Sequence, residues 1–277
     1  MKTSWALVGG LMSLMLLASG CQAKKSNSAA SSSTQAASLQ PVKPKKQSQA
    51  KPWHQYQKNV NIPILMYHSI SQGNSLRVPS AEFEQQMNYL HKHHYYTLTT
   101  AEAIRAFKTN QLPQKKVVWV TMDDAYKDNY TKALPIIKKY HIKTTINYIT
   151  SFAKHHNHLT LKQVQKMRQT HLVEFQSHTV KHLDLNELTD QQQEKELTDS
   201  KRWLDQKLHQ DTQLICYPAG RVNNATARLA KQAGYKIGIT TEPGMANVKQ
   251  QGWYNLKRQR VVPNMTTAAF ATLLQNN

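Results

Sequence analysis

From residue 61 to the end of this 277-residue chain, short apolar segments alternate with segments whose apolar residues recur at helical spacing. Residues 62–67, 117–122 and 144–150 are typical of buried strands, and amphipathic segments such as residues 80–93 and 189–208 follow strands like these along the chain. Repeated alternation of this kind predicts an α/β domain with a parallel sheet, either an open doubly wound sheet or a barrel.

Helix starts and breaks can also be placed. The spacings Thr99-x-x-Glu102 and Thr189-x-x-Gln192 predict capping boxes, in which the threonine side chain and the residue three positions later satisfy each other's backbone N–H groups. Pro135 lies inside the helical pattern of residues 126–140, so we expect a kink or a restart there.

The N-terminus has the layout of a secretory signal. A positively charged start precedes an apolar run over residues 5–18, which is shorter than the roughly 20 residues a membrane-spanning helix needs. The run ends in residues 17–21, whose small residues before Cys21 resemble a bacterial lipobox. We therefore predict a lipoprotein signal peptide over residues 1–20, lipidation of Cys21, and a location on the extracellular face of the bacterial cell membrane. The alternative is an ordinary signal peptide beside a cysteine.

Residues 21–60 are rich in Ser, Ala and Lys, with Trp53 and Tyr56 as the only Phe, Tyr or Trp side chains. Such a segment buries too little surface to offset its ordering entropy, so we predict a disordered tether. Residues 61–277 form the predicted folded domain. With Cys21 lipidated, Cys216 is the only other cysteine, which excludes an intramolecular disulfide.

The chain is strongly basic, with 36 Lys and Arg against 16 Asp and Glu, a formal net charge of +20. This excess suits anionic lipid headgroups, wall polymers or nucleic acid. Secretion and the lack of any helix-turn-helix or RNA-binding motif argue against nucleic acid. We expect the protein to be a monomer that is held at an anionic membrane or wall surface.

Four polar clusters each follow a predicted strand at its C-terminal end. They are Tyr67-His68, Asp123-Asp124, the segment from His178 to His182, and the segment from Tyr217 to Gly220. Because the C-terminal ends of parallel strands lie on one face of an α/β fold, the four clusters should converge there.

The chemistry that these residues suit is that of a mononuclear metal hydrolase. The spacing of four residues between His178 and His182 is that of one helical turn, which would aim both imidazoles the same way. A carboxylate completes three protein ligands and leaves a position for water. Since neighbouring Asp side chains diverge, one of the pair could bind the metal while the other serves as general base. A histidine suits the separate acid.

Residues 121–124, Thr-Met-Asp-Asp, together with His178-x-x-x-His182 resemble the polysaccharide deacetylases of carbohydrate esterase family four, whose signatures are T-F-D-D and H-S/T-x-x-H. This resemblance implies a distorted (β/α)₇ barrel over residues 61–277. It also implies that Asp123 is the general base and that Asp124, His178 and His182 bind a divalent metal, usually Zn²⁺, with Co²⁺, Ni²⁺ or Mn²⁺ as alternatives.

The sequence departs from the common pattern, because it lacks an R-x-P-Y motif and a late L-x-H motif. Residues 65–70 instead resemble the circularly permuted subgroup that deacetylates exported poly-β-1,6-N-acetylglucosamine. That likeness implies that His68 is the acid and that Arg258 or Arg260 supports Asp123. The Tyr217 backbone N–H, beside Pro218, would then help to stabilise the oxyanion.

The resulting hypothesis is a surface-anchored, metal-dependent N-deacetylase of an N-acetylglucosamine polymer. Peptidoglycan is the alternative substrate, and a polysaccharide-binding lipoprotein without turnover is the alternative class. His155, His156 and His158 fall in a loop with no carboxylate nearby in sequence. Trp253 and Tyr254 precede the last predicted strand, and the sequence leaves open whether they line the substrate cleft.

Overall fold

Strands and helices alternate as the hydrophobic pattern predicts. The computed structural model describes residues 52–275. The strands are β1 (His54–Gln55), β2 (Ile64–Tyr67), β3 (Tyr96–Thr97), β4 (Gln111–Leu112), β5 (Val117–Met122), β6 (Thr144–Tyr148), β7 (Val173–Ser177), β8 (Leu214–Cys216), β9 (Ile237–Pro243) and β10 (Leu256–Arg260). The helices are α1 (Ser80–Lys92), α2 (Thr100–Thr109), α3 (Leu134–Tyr140), α4 (Leu161–Arg168), α5 (Asp190–Leu208), α6 (Thr226–Gln232), α7 (Val248–Gln251) and α8 (Thr267–Leu273).

Seven of these strands form a closed parallel barrel. Their order is β2, β10, β9, β8, β7, β6 and β5, and pairing of β2 with β5 closes the ring. Every pair in the ring is parallel. The short β3 adds a further parallel pairing at the start of β5. The barrel confirms the predicted (β/α)₇ architecture, and it decides between the two parallel arrangements that alternation alone left open.

Alternating side chains of the strands are buried on the two faces of the barrel wall. In β5, Val118 and Val120 pack in a cluster with residues of the surrounding helices, whereas Trp119 packs with residues of the opposite strands. The Trp119 indole N–H donates to the Thr145 hydroxyl at 2.8 Å, so its one polar atom is satisfied although the side chain is fully buried. Because both faces of the barrel wall are covered, successive residues of a strand are all buried, and the strands therefore consist of continuous apolar runs in the sequence.

The N-terminal edge of the described chain packs on the barrel, which corrects the predicted boundary of the tether at residue 60. β1 pairs with β4 in antiparallel fashion. The Arg105 guanidinium lies 4.1 Å from the ring centroid of Trp53, and the Tyr56 N–H donates to the Asn110 carbonyl at 3.0 Å. The two aromatic residues give this stretch apolar surface to bury. The average composition of residues 21–60 does not reveal this local difference. Residues 1–51, with the predicted signal peptide, Cys21 and the rest of the tether, lie outside the described residues.

Helix boundaries follow the local signals. Both predicted capping boxes, at Thr99 and at Thr189, are present. The expected disturbance near Pro135 takes the form of a π-helical turn over Asn129–Ala133, after which α3 restarts with the proline in its first turn. Within residues 52–275, none of the helices combines the length and apolar character that crossing a membrane requires.

Candidate active site

The polar clusters that follow the strands meet at one end of the barrel. Asp123 follows β5, and its N–H donates to the Tyr67 carbonyl at 2.8 Å, which continues the β2–β5 ladder past the last strand residue. His178 follows β7 and donates its N–H to the Tyr148 carbonyl at 3.0 Å. Ladder bonds of this kind fix the backbone of the residues just beyond the strands, so the side chains they carry are positioned by the rigid barrel.

Asp124, His178 and His182 form one cluster of ligand atoms. The Asp124 Oδ1 atom lies 3.4 Å from His178 Nε2 and 3.5 Å from His182 Nε2. The His178 Nδ1 atom lies 2.7 Å from the Cys216 carbonyl oxygen. When Nδ1 carries the proton and donates it to this carbonyl, Nε2 is the unprotonated nitrogen. Metal-bound histidines adopt this arrangement.

The chemistry of this cluster fits a divalent cation. Asp124 Oδ1 is buried and, among the residues described, has no hydrogen-bond partner. A buried carboxylate oxygen without a partner carries a large desolvation penalty, which a cation would remove. Burial acts to raise the pKa of Asp124, but the electrostatic influence of the nearby imidazoles of His178 and His68 outweighs it and lowers the pKa. The carboxylate is therefore anionic and available as a ligand.

The two histidines lie in a loop, which corrects the expectation of one helical turn between them. Thr179 and His182 both have left-handed backbone conformations, with φ of 63° and 59°. The Glu196 carboxylate holds the loop by accepting the N–H groups of Val180 and Lys181 at 2.9 Å each. The imidazole centroids are 4.7 Å apart and their planes are inclined by 78°. Both rings thus face Asp124 without any help from helical periodicity.

Asp123 is held from three sides. Arg258 donates to it in bidentate fashion, from Nη1 to Oδ1 at 2.9 Å and from Nη2 to Oδ2 at 2.7 Å. The Asn147 amide and the Cys216 thiol also donate to Oδ1, at 2.7 and 3.5 Å. Burial alone would raise the pKa of Asp123, but the Arg258 guanidinium and the nearby imidazoles lower it far below its ordinary value. Oδ2, with a single donor, is the oxygen left with capacity to accept a proton.

His68 stands on the side of Asp123 that the other donors leave open. Its Nε2 atom is 3.8 Å from Asp123 Oδ2, and its side chain is only 13% exposed. Asn129 donates its amide to the His68 carbonyl at 2.9 Å and so fixes the backbone there. Burial lowers the pKa of His68, with the charges of Asp123 and Asp124 acting in the opposite direction.

Between the two candidate arginines, the structure brings Arg258 and not Arg260 to Asp123. Arg258 is fully buried, whereas Arg260 is exposed two residues farther along β10. The pairing of β9 with β10 shifts register between Leu256 and Arg258. There the Arg258 Nε–H donates to the Thr240 carbonyl at 2.7 Å, which directs the guanidinium toward Asp123. Arg258 and Arg260 are two residues apart and are therefore expected on the same face of the strand, so the sequence alone could not decide which of them reaches Asp123.

The predicted oxyanion role of the Tyr217 N–H is wrong, because this group donates to the Ile239 carbonyl at 3.1 Å. Tyr217 follows β8 directly and remains in the ladder with β9. Its hydroxyl is buried against Gly238, where a Cβ would lie 2.5 Å from the tyrosine oxygen. Pro218, which follows it, is buried and opens a tight turn that ends at Gly220.

Two residues of the site were missed from the sequence, and two aromatic candidates lie elsewhere. Asn147 is a buried polar residue inside the otherwise well-predicted β6, and this was its only signal. Cys216 ends the buried strand β8 and carried no sequence signal for the site, but its thiol contacts Asp123. Trp253 and Tyr254 precede β10 and therefore lie at the opposite end of the barrel from the cluster. The Tyr254 hydroxyl there donates to the Tyr235 carbonyl at 2.7 Å.

Comparison with known proteins agrees with the fold and with the site. A family model for polysaccharide deacetylases matches residues 110–238. The Bacillus subtilis protein YxkH, whose name assigns it to the polysaccharide deacetylases, is 46% identical over 232 residues, which are 84% of this chain and 82% of YxkH. The Streptococcus pyogenes deacetylase PplD, solved in complex with acetate, is 40% identical with a TM-score of 0.76, over 79% of this chain and 100% of that chain.

A more distant relative carries a more specific name. The poly-β-1,6-N-acetyl-D-glucosamine N-deacetylase of Staphylococcus epidermidis is 30% identical over 178 residues, which are 60% of this chain and 61% of that protein. Members of the family matched here are amide hydrolases that act on N-acetyl groups. With its seven-stranded barrel, its Asp-His-His cluster and these relatives, the chain belongs to the polysaccharide deacetylase family.

Proposed function

We propose that this chain is a divalent-metal-dependent N-deacetylase of N-acetylglucosamine units in an exported polysaccharide, with poly-β-1,6-N-acetylglucosamine as the preferred polymer. The observation that carries the proposal is a pair of adjacent carboxylates with different surroundings. Asp124 faces two imidazoles, while Asp123 is turned to Arg258 and His68. A protein that only binds polysaccharide has no need of an unliganded carboxylate beside a metal cluster. The name of the staphylococcal relative supports the choice of polymer.

Asp124, His178 and His182 would hold the metal, and Zn²⁺ suits one carboxylate and two imidazole ligands. Divalent-metal dependence is general in the family. When bound, such an ion supplies a Lewis acid that polarises an amide carbonyl and makes water easier to deprotonate.

Asp123 would act as the general base through Oδ2. Its lowered pKa keeps the carboxylate ionised at neutral pH, so it is always in the form that accepts a proton. Arg258 and Asn147 fix the other oxygen and hold the carboxylate plane. The Arg258 guanidinium would serve to orient the base, which is a positioning role.

His68 would protonate the departing amine. In the overall step, water gives its hydroxyl to the acetyl carbon and one proton to Asp123, the carbon–nitrogen bond breaks, and a proton from His68 goes to the nitrogen. The products are acetate and a glucosamine unit. The proton on Asp123 can then return to His68, whose Nε2 lies 3.8 Å from Oδ2. The acetate bound to the streptococcal relative is consistent with such a product.

The site of action is proposed to be the outer face of the bacterial cell membrane, with the chain anchored as a monomer through a lipid on Cys21. There the cationic glucosamine units would alter how the polymer adheres in a biofilm or the cell wall. Mass spectrometry of the purified chain from its own membrane tests the anchor, since diacylglycerol on Cys21 and loss of residues 1–20 change the mass of the N-terminal peptide.

Acetate release from N-acetylglucosamine oligomers tests the activity. We expect the wild type to release acetate, a chelator to abolish release and added Zn²⁺ to restore it. Asp123→Asn should lower kcat by about 10²-fold or more, while the partly exposed Asp199→Asn on α5 serves as a matched control and keeps full activity. Faster turnover of β-1,6-linked than of β-1,4-linked oligomers supports the preferred polymer, and the reverse order favours peptidoglycan. Binding of oligomers without metal-dependent acetate from any of them contradicts the enzymatic proposal.

A further inference from the structure

A basic pocket lies beside the proposed active site. It has a volume of about 470 Å³, and its walls include four exposed lysines, Lys127, Lys154, Lys162 and Lys166. Among the residues described, none of these lysines has a carboxylate within 4.0 Å. We call it the lysine pocket.

Three of the four lysines of the pocket, Lys154, Lys162 and Lys166, lie in a segment of the chain without any acidic residue. Between Asp128 and Glu174 the chain contains seven lysines, one arginine and five histidines and no Asp or Glu. Other lysines of the protein do pair with acidic residues, as Lys195 does with Asp199 and Lys143 does with Glu102. A solvated surface that needed lysine only for solubility would carry charges of both signs.

The helix that borders the pocket adds to its positive potential. α4 begins after Thr160, and the first turn contains Lys162 and no acidic residue. The N-terminus of a helix carries partial positive charge, so a lysine there is unfavourable and an anion favourable. Lys162 at this position does not stabilise the helix, because its charge and the helix N-terminus repel each other. A bound anion would be attracted by both.

The pocket is joined to both loops that carry the metal-ligand candidates. On one wall, Lys127 lies three residues after Asp124, and its backbone N–H donates to the Asn157 carbonyl at 2.8 Å. On the other, the Ser151 N–H donates to the Val180 carbonyl at 3.0 Å, inside the loop between His178 and His182.

Aromatic rings form the partition between pocket and site. The Tyr126 ring stacks on His158, with centroids 5.0 Å apart and planes inclined by 27°. His158, 6% exposed, lines the pocket, and Tyr126 lies two residues after Asp124. Through this stacked pair the lysine pocket adjoins the loop that carries Asp124.

We propose that the lysine pocket binds a phosphate group carried as a substituent on the N-acetylglucosamine polymer, so that the natural substrate is anionic at that position. This inference rests on the proposed deacetylase function and adds the charge of the substrate to it. Phosphate is favoured over carboxylate because the described lining offers lysine and histidine point donors and no arginine fork. Several point donors and a helix N-terminus match an anion with three or four oxygens.

The first test compares two substrates on the full chain loaded with Zn²⁺. One is an N-acetylglucosamine oligomer, and the other is the same oligomer with a phosphate monoester at its reducing end. We expect the wild type to deacetylate the phosphorylated oligomer with a kcat/KM about tenfold higher at low salt, with the advantage falling as salt is added. Lys154→Gln/Lys162→Gln should lose this advantage and retain its rate on the neutral oligomer. Lys207→Gln/Lys249→Gln, which changes two exposed lysines elsewhere, should behave as the wild type.

The second test separates binding from turnover. Calorimetry with inorganic pyrophosphate, in the presence of chelator, should give binding that the Lys154→Gln/Lys162→Gln variant weakens about tenfold and the control pair does not. If phosphorylation of the oligomer has no effect on acetate release, or if all variants bind pyrophosphate equally, the phosphate-binding proposal is overturned. The proposed deacetylase function is not affected by either result. Lysine-dependent pyrophosphate binding without deacetylation of any oligomer means that the proposed function fails and the phosphate site remains. If the double variant loses binding to phosphatidylglycerol vesicles but not the preference for the phosphorylated oligomer, the pocket serves lipid and the proposal is overturned.

Discussion

Arg258 and Asp123 form a fully buried bidentate ion pair across the barrel, with Nη2 2.7 Å from Oδ2 and Nη1 2.9 Å from Oδ1. The two residues lie 135 positions apart in the chain. Because a guanidinium and a carboxylate buried together compensate each other's desolvation, removal of one leaves an unpaired charge in the interior.

Arg258→Met should therefore lower the free energy of unfolding by about 3–5 kcal/mol. Arg260→Met, on the same strand but exposed, should change it by about 0.5 kcal/mol or less. Urea unfolding followed by circular dichroism measures both. In the Asp123→Leu background the Arg258→Met substitution should cost much less, since no charge is left unpaired. An equal cost in the two backgrounds would mean that the ion pair does not account for the loss.

Metal binding should stabilise the fold through Asp124, His178 and His182. A ligand that binds only the folded state adds about 2.7 kcal/mol at a free concentration of 100 times its dissociation constant. We expect Zn²⁺ to raise the Tm of the chelator-treated chain, and Asp124→Asn or His178→Ala to remove that rise.

His155→Ala, in the neighbouring histidine loop, is the control for the metal experiment and should keep the full Zn²⁺ response. If His155→Ala removes the response while Asp124→Asn retains it, the ion binds in the loop and the assignment of ligands is wrong.

Glu102 should contribute stability that acid removes. Burial acts to raise its pKa, but the Lys143 ammonium, the Tyr96 hydroxyl and the Thr99 N–H outweigh this and lower the pKa below 4.5. A depressed carboxyl pKa means that the contribution is complete above the unfolded value and is lost as pH falls through the folded value. Glu102→Gln, which keeps a capping side chain at this position, should be less stable than the wild type by about 1 kcal/mol or less at neutral pH.

The difference between wild type and Glu102→Gln should shrink as the pH falls below about 4.5. Urea midpoints measured across this range give the result. The exposed Glu194→Gln should run parallel to the wild type at every pH. A Glu102→Gln deficit that persists unchanged in acid would indicate lost packing and not a lost charge interaction.

Lys162 should destabilise the phosphate-free protein. A cation in the first turn of α4 opposes the helix dipole, so Lys162→Gln should raise the free energy of unfolding by about 0.3–1 kcal/mol at low salt. Thermal unfolding without phosphate checks this. Lys166→Gln, at the other end of the same helix, should have the opposite or no effect. A loss of stability in Lys162→Gln would show that the lysine serves the fold.

The Tyr217 hydroxyl is a stability liability. It is buried and finds no hydrogen-bond partner within residues 52–275, so Tyr217→Phe should leave the free energy of unfolding unchanged or raise it. Tyr235→Phe is the matched comparison, because the Tyr235 hydroxyl donates to the Leu197 carbonyl at 2.9 Å, and should lose about 1 kcal/mol. Urea unfolding of both variants decides, and a larger loss at position 217 than at position 235 contradicts this account.

The alternation of strands and helices, the capping boxes and the placement of Asp123, Asp124 and His178 at strand ends were all readable from the sequence. Each depends on a short-range pattern: side chains repeat every two residues in a strand and every 3.6 residues in a helix, and the chain must turn where the pattern stops. Once the strands are parallel, residues that follow them share an edge whatever their distance in the chain.

The contacts that tune the site depended on the tertiary structure. The register shift between β9 and β10 selects Arg258 over Arg260, and ladder bonding to β9 removes the Tyr217 N–H from the site. Asn147 joins Asp123 because β6 lies beside β5 in the ring. Such contacts join residues that are distant in sequence, and a shift of one residue in pairing changes them, so no local pattern of the chain could specify them.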